Sequence, residues 1–213
     1  MGYTRAQILE QCREAFRNKN TFYKKDFINY RGKTSDTEEY YTEVIAEFLC
    51  DHITDYMNGI NSITRKSSYK TEGHDGNYNP DSTREEEIIA MQTFRQSKDC
   101  GPYNLIGEII DYQTPLKSSA DDEAGKIDLL SFDGSIMRIL ELKKPDSKET
   151  MLRCVLEGYT YLKTVDTDKL ISDFEYTPEN VVIKASPFVF WDSEQYKEMK
   201  QARPYLQKLM TLI

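Results

Sequence analysis

The chain has few of the residues that build zinc clusters or disulfide frameworks. Its 213 residues include only 4 cysteines and 2 histidines. No two cysteines form a Cys-x-x-Cys pair, and the candidate soft ligands lie far apart in the sequence: Cys12, Cys50, Cys100, Cys154, His52 and His74. This spacing indicates neither a structural zinc site nor a disulfide framework. It favours a reducing compartment, and we expect a cytoplasmic protein.

The sequence also lacks long apolar runs and an excess of basic charge. Charged residues occur throughout the N-terminal region, so we expect neither a secretion signal nor a membrane span. The net charge of −8 is unlike the basic footprint of most nucleic-acid-binding proteins. Residues 1–33 are the exception, with eight basic and three acidic side chains. Aromatic residues lie among these basic ones, where they could stack nucleobases or face a core: Phe22, Tyr23, Phe27 and Tyr30.

The most informative segment is a predicted β-hairpin over residues 126–143. Asp133-Gly134 is typical of a two-residue hairpin loop because both positions tolerate positive φ. Such a loop places Asp128 opposite Ile139, and Asp128 and Glu141 then become diagonal neighbours on one face of the sheet. A loop with one residue more would turn Asp128 away from Glu141, so the predicted site depends on this turn.

This hairpin brings two carboxylates and an amine together. Diagonal Cβ atoms lie roughly 7–8 Å apart, so Asp128 and Glu141 can converge on one divalent cation, with the Lys143 ammonium beside it. Both carboxylates lie next to apolar residues of their strands. A charge in such surroundings is costly unless it has a partner or a metal. Hydrolysis of a phosphodiester needs such a set, because a bound Mg²⁺ or Mn²⁺ neutralises phosphate charge and activates water.

The pattern resembles the core of the PD-(D/E)XK nuclease superfamily. It consists of Asp128, twelve intervening residues and Glu141-Leu142-Lys143, preceded by a predicted first strand at 107–115. Ile127 stands where the family usually has proline. The resemblance covers about residues 82–190 and implies a restriction-endonuclease-like α/β (α+β) fold, with a central mixed sheet flanked by helices. It also implies that the Leu142 carbonyl is a further metal ligand and that Lys143 orients water or stabilises the transition state.

A helix predicted to begin near Ser82 offers a third carboxylate. Its first turn contains three glutamates, which the helix dipole alone could explain. The resemblance implies that one acidic residue of this helix binds the metal, and we expect Glu86, then Glu85. Glu43, on a helix predicted from Asp36 to about Met57, is a further candidate.

The helix predicted over residues 147–163 carries candidate substrate contacts. Arg153, Glu157 and Tyr161 share one face at i, i+4 and i+8. Related nucleases often carry Gln-x-x-x-Tyr here, and Glu157-x-x-x-Tyr161 resembles it. Arg153 could bind a phosphate or pair with a nearby glutamate. Pro145-Asp146 lies after the lysine, so we interpret Asp146 as the cap of this helix and not as part of the motif.

These observations predict an N-terminal helical extension (1–58), a loop (59–81) and a nuclease-like core (82–213), which we expect to form one compact domain. The predicted function is a Mg²⁺- or Mn²⁺-dependent (endo)nuclease acting on DNA. The alternative is a non-catalytic nucleic-acid-binding or protein-interaction module that keeps the fold, since fold alone does not decide function. The sequence leaves the oligomeric state open, a homodimer included.

Overall fold

A computed structural model describes residues 2–117 and 125–213. The helices in these ranges are α1 (Arg5–Ala15), α2 (Tyr41–Asp51), α3 (Ile53–Asn58), α4 (Glu85–Cys100), α5 (Met151–Thr164), α6 (Thr167–Asp173), α7 (Glu194–Lys200) and α8 (Pro204–Leu212). The strands are β1 (Glu108–Pro115), β2 (Lys126–Phe132), β3 (Ile136–Lys143) and β4 (Val182–Val189). Three 3-10 turns occur at Lys19–Lys24, Asp26–Asn29 and Pro178–Asn180.

Backbone contacts divide the chain into two compact units that alternate along the sequence. Unit 1 comprises Met1–Asn61, Pro145–Thr160 and Val189–Ile213, and unit 2 comprises Ser62–Lys144 and Tyr161–Phe188. This grouping does not follow the predicted boundaries at 58/59 and 81/82. The C-terminal residues group with the N-terminal helices because α8 packs against α2.

Unit 1 is built on helices and an aromatic core. Thr4 caps α1 in a capping box with Gln7, as the sequence predicts. The rings of Phe16 and Phe22 meet edge to face at 6.1 Å, and Phe22 meets Phe27 at 5.8 Å. Phe22, Tyr23 and Phe27 are buried. The aromatic residues of the basic N-terminal segment therefore serve mainly as core, and only the half-exposed Tyr30 lies near the surface.

Two helices of unit 1 begin later than predicted. Residues 34–39 form a tight loop closed by a bond from the Thr34 N–H to the Glu39 carbonyl, so α2 begins at Tyr41 and not near Asp36. The α5 helix begins at Met151 and not at Ser147. Its cap is Thr150, whose hydroxyl accepts the Arg153 N–H at 3.1 Å, so the predicted capping role of Asp146 is wrong.

Unit 2 contains the sheet, which is mixed and has the strand order β1-β2-β3-β4. The pairs β1–β2 and β2–β3 are antiparallel. The α4 helix packs against β1 and β2, and Phe94 on α4 meets Tyr112 on β1 with ring centroids 5.1 Å apart. Alternate strand residues fill the core, among them Ile127, Leu129 and Met137, all fully buried. The predicted mixed α/β architecture with flanking helices is thereby confirmed.

The four cysteines are free thiols, as their spacing predicts. Burial raises the pKa of the Cys12 thiol to about 12. Within the described residues, no helix has both the length and the apolar character needed to cross a membrane.

Candidate functional site

The β2–β3 hairpin has a different register from the predicted one. Phe132 pairs with Met137 and not with Ser135, and Leu129 pairs with Leu140. The pairing has therefore moved by two residues along β3. Because side chains alternate between the two faces of a strand, a shift of two leaves every side chain on its predicted face.

The register differs because the turn lies one residue later in the chain than predicted. The N–H of Asp133 donates to the carbonyl of Ile136 at 3.3 Å, so the two loop residues are Gly134 and Ser135. Gly134 has a φ of 101°, which suits the first central position of such a loop. The Asp133 carboxylate accepts the Ile136 N–H at 2.8 Å and pairs with Arg138 at 2.7 Å. These bonds, the backbone one above all, lower the pKa of Asp133.

Asp128 consequently faces Glu141 directly, because this is the next pair after Leu129 and Leu140. The predicted opposition of Asp128 to Ile139 is wrong, but the two carboxylates come closer, since directly opposed Cβ atoms lie about 5 Å apart. The Asp128 Oδ2 accepts the backbone N–H of Leu142 at 2.9 Å.

Glu141 and Lys143 form a buried ion pair. The Lys143 Nζ lies 2.8 Å from the Glu141 Oε1, and the side chains are 5% and 4% exposed. Both residues lie on β3 two positions apart and so share a face. A charged pair at this depth costs desolvation energy that its mutual attraction only partly returns. Its place in the sheet is therefore not explained by stability alone.

The first turn of α4 adjoins the end of β3. Glu86 Oε1 accepts the backbone N–H of Lys144 at 3.1 Å, and the Lys144 Nζ pairs with Glu85 Oε2. Glu86 thus contacts the residue that follows Lys143. Glu43 belongs to unit 1, where its carboxylate accepts the first N–H groups of α8, those of Tyr205 at 3.0 Å and Leu206 at 2.9 Å. Glu43 therefore caps a helix, which accounts for its burial.

Gln113 is a site residue that the sequence reasoning missed. It lies opposite Asp128 in the β1–β2 ladder, between the pairs of Tyr112 and Thr114. Its Nε2 donates to Asp128 Oδ1 at 3.1 Å, so both oxygens of Asp128 accept hydrogen bonds. Gln113 has a φ of 49°, an uncommon conformation for a residue with a side chain. Such strain clusters at functional sites.

The candidate substrate residues on α5 have structural partners. In unit 1, the Arg153 Nε pairs with Glu157 Oε2 at 3.2 Å, and its guanidinium lies 4.7 Å from the centre of the Tyr23 ring. Arg153 also donates to the Tyr23 carbonyl. In unit 2, the Tyr161 hydroxyl lies against Gly125, where a Cβ would come within 2.3 Å of it. The contacts of Arg153 thus favour pairing over phosphate binding.

A second polar pair, which was also not predicted, joins His74 in the segment before α4 to Asp111 on β1. The His74 Nδ1 is 2.6 Å from Asp111 Oδ1, and the Thr114 hydroxyl donates to Asp111 Oδ2 at 2.7 Å. Burial raises the pKa of the Asp111 carboxyl, although the bonds from His74 and Thr114 act in the opposite direction. The sequence carried a signal for Asp111, which is an acidic residue within an apolar strand.

No family model, curated protein or solved structure matches this chain. In residues 2–117 and 125–213, no group of three or more histidine, cysteine, aspartate or glutamate side chains is arranged to hold a metal ion. In the part of the chain that the structure describes, the candidate site therefore consists of the opposed carboxylates of Asp128 and Glu141 with the buried Lys143 beside them.

Proposed function

We propose that the protein is a metal-dependent nuclease that hydrolyses DNA phosphodiester bonds at Asp128, Glu141 and Lys143. The observation that carries this proposal is the opposition of Asp128 and Glu141 on neighbouring strands, with the Lys143 ammonium 2.8 Å from Glu141. Two acids and an amine on one sheet face have the chemical capacity for phosphodiester hydrolysis.

The donor atoms suit Mg²⁺ or Mn²⁺. Magnesium prefers oxygen ligands and commonly keeps several waters while using only one or two carboxylates from the protein, with substrate phosphates as further ligands. Asp128 and Glu141 are the residues that would hold it, with the Leu142 carbonyl and Glu86 as further candidate oxygens. A bound divalent ion supplies charge neutralisation on the phosphate and lowers the pKa of water. A third protein carboxylate is not required.

The chain's own residues have separate tasks in this proposal. Gln113 and the Leu142 N–H fix the plane of the Asp128 carboxylate through its two oxygens. Lys143 places a positive charge where a pentacovalent phosphorane carries extra negative charge, so it stabilises the transition state more than the ground state.

The order of elements supports a PD-(D/E)XK-type fold. A helix (α4), a strand (β1), the acidic hairpin (β2–β3), a connecting helix (α5) and a further strand (β4) follow one another as the resemblance implies. The net charge of −8 opposes general attraction to nucleic acid. Binding of DNA would therefore rest on divalent ions at the carboxylates and on local basic residues.

The alternative function is a non-catalytic nucleic-acid-binding or protein-interaction module. The specific observation in its favour is that Lys143 pairs with Glu141, while Asp128 accepts bonds from Gln113 and Leu142. These contacts pair both oxygens of Asp128 and the Oε1 of Glu141 with protein groups, so the arrangement can persist as a scaffold without catalysis.

A cleavage assay separates the two functions. Single- and double-stranded DNA are incubated with the protein in Mg²⁺ or Mn²⁺. We expect cleavage by the wild type and a loss of roughly 100-fold or more in Asp128→Ala and Lys143→Ala, as for removal of one group that stabilises a transition state. Asp99→Asn, a change at an exposed α4 carboxylate, is the matched control. Equal cleavage by the wild type and both variants would exclude this site.

A further inference from the structure

Trp191 is the only tryptophan of the chain, and it lies at the surface of unit 1. It is 77% exposed, more than any other aromatic residue in the ranges that the structure describes. A tryptophan carries a large apolar surface, most of which folding normally removes from water. Packing of the core therefore does not explain this position.

The surrounding segment holds the Trp191 ring in place. The N–H of Ser193 donates to the carbonyl of Phe190 at 3.1 Å, so a tight turn closes around Trp191 and Asp192, and Asp192 has a φ of 64°. The Ser193 hydroxyl accepts the Tyr196 N–H at 3.2 Å, where α7 begins. The rings of Trp191 and Tyr196 then lie 4.5 Å apart, with planes inclined by 38°. A second ring therefore supports the exposed indole.

Lysine side chains extend this aromatic pair along α7. The Lys200 Nζ lies 5.3 Å from the centre of the Tyr196 ring, one helical turn further on. The Lys197 side chain, on the same helix, is 55% exposed. Two ammonium groups thus stand beside two aromatic rings. We name the set Trp191, Tyr196, Lys197 and Lys200 the α7 platform.

The charge around the α7 platform is positive, although the whole chain carries −8. Glu194 pairs with Lys197 at 3.0 Å and with Arg31 at 3.4 Å. The hydrogen bond from Lys197, together with the charges of Lys197, Arg31 and Lys148, lowers the pKa of the Glu194 carboxyl. The exposed charges on α7, in the turn before it and around Glu194 are four basic and two acidic: Arg31, Lys148, Lys197, Lys200, Asp192 and Glu194.

A single exposed aromatic side chain is common and needs no ligand. Aromatic rings with cations beside them are the arrangement that binds single-stranded nucleic acid, because bases stack on the rings while the cations follow the backbone. A double helix keeps its bases stacked on one another and presents only their edges in its grooves. A sugar could cover the indole but would gain nothing from the ammonium groups. The local charge therefore favours an unpaired base with its phosphates.

We propose that the α7 platform binds single-stranded DNA, with one unpaired base stacked on Trp191 and with Lys197 and Lys200 at the neighbouring phosphates. The choice of DNA over RNA rests on the nuclease function proposed above. The stacking itself uses none of the residues Asp128, Glu141 and Lys143, so it forms with or without a divalent metal ion.

The fluorescence of the only tryptophan reports directly on this contact. In EDTA, we expect a thymidine oligomer of about 12 nucleotides to quench it, since single-strand-binding surfaces cover roughly 4–16 nucleotides. An abasic oligomer of the same length has the same phosphates but no bases to stack. It should need a concentration at least about tenfold higher for the same quenching, and so should a DNA duplex.

Fluorescence anisotropy of a labelled thymidine oligomer tests the residues one by one. Trp191→Ala should weaken binding by about tenfold or more, because one base loses its aromatic partner, whereas Trp191→Phe keeps a ring and should stay within about threefold of the wild type. Lys200→Gln should reduce the slope of log affinity against log salt concentration by about 0.7, the value for one phosphate contact to a single strand.

Leu105→Ala is the matched control. Leu105 is 87% exposed and belongs to unit 2, so its loss removes exposed apolar surface away from the α7 platform and should leave the affinity unchanged. Circular dichroism verifies that each variant is folded.

The outcomes separate this inference from the proposed function. Equal binding by the wild type and Trp191→Ala, or equal binding of the thymidine and abasic oligomers, would overturn the inference and leave the nuclease proposal standing. Tighter binding of a uridine RNA oligomer would overturn the assignment to DNA. A dimer that sediments in the wild type but not in Trp191→Ala, without oligomer binding, would make a second copy of the chain the occupant. Binding as expected in EDTA without cleavage in Mg²⁺ or Mn²⁺ would support the α7 platform and refute only the nuclease proposal.

Discussion

Replacing Lys143 with methionine should destabilise the protein strongly. The change keeps the length of the side chain but removes the ammonium that lies 2.8 Å from Glu141, where both side chains are at most 5% exposed. Breaking a buried ion pair by removing one partner costs about 3–5 kcal/mol because the other charge stays buried. For a chain of this size each kcal/mol lowers Tm by roughly 2–4 °C, so Tm should fall by about 6–20 °C.

The double variant Glu141→Leu/Lys143→Met provides the matched control for this prediction. It removes both charges, so the free energy of unfolding should return to within about 1 kcal/mol of the wild type. Urea unfolding followed by circular dichroism in EDTA measures all three proteins. The reasoning is refuted if Lys143→Met loses less than about 1 kcal/mol, as an exposed pair would, or if the double variant is no more stable than the single one.

The remaining predictions concern neighbouring residues. Gln113→Gly relieves the positive φ but removes the amide that holds Asp128, so urea unfolding should show a change within about 1 kcal/mol, while calorimetry should show Mn²⁺ affinity falling roughly tenfold. Because the folded pKa of Asp111 is raised, its contribution to stability is present below the unfolded pKa of about 4 and is lost as the pH rises through the folded value. As the pH rises across this window, urea unfolding should show the free energy of unfolding of Asp111→Asn increasing relative to that of the wild type. The same change with pH in both proteins would contradict this. Arg153→Lys should lower the free energy of unfolding by about 1–2 kcal/mol because the pair with Glu157 loses its planar donor, and an unchanged urea midpoint would argue against that contact.

The hairpin shows what the sequence could predict. Periodicity and turn residues placed both strands within a residue or two of their bounds, and the predicted sharing of one face by Asp128, Glu141 and Lys143 agrees with the observed pairing. The register was wrong because Asp133-Gly134 and Gly134-Ser135 are both acceptable two-residue loops. In the second loop the Asp133 side chain accepts the Ile136 N–H at 2.8 Å, a contact that the residue pattern alone does not distinguish from the first loop.

Contacts distant in sequence could not be predicted in this way. Glu43 was a candidate metal ligand by residue type, but its bonds to the start of α8 join residues more than 160 positions apart. Gln113 had no motif, because its contact with Asp128 depends on the β1–β2 register and on its own backbone conformation. Local patterns therefore predicted the elements, while side-chain roles required the tertiary pairing.

The most direct test of the central claim is anomalous diffraction from crystals soaked in Mn²⁺. The proposed nuclease site predicts a manganese peak within about 2.2 Å of carboxylate oxygens of both Asp128 and Glu141, since divalent ions bind oxygen at roughly this distance. It also predicts that the peak is absent in Asp128→Ala. A well-ordered site with no peak between these carboxylates, or a peak that persists in Asp128→Ala, would contradict the account.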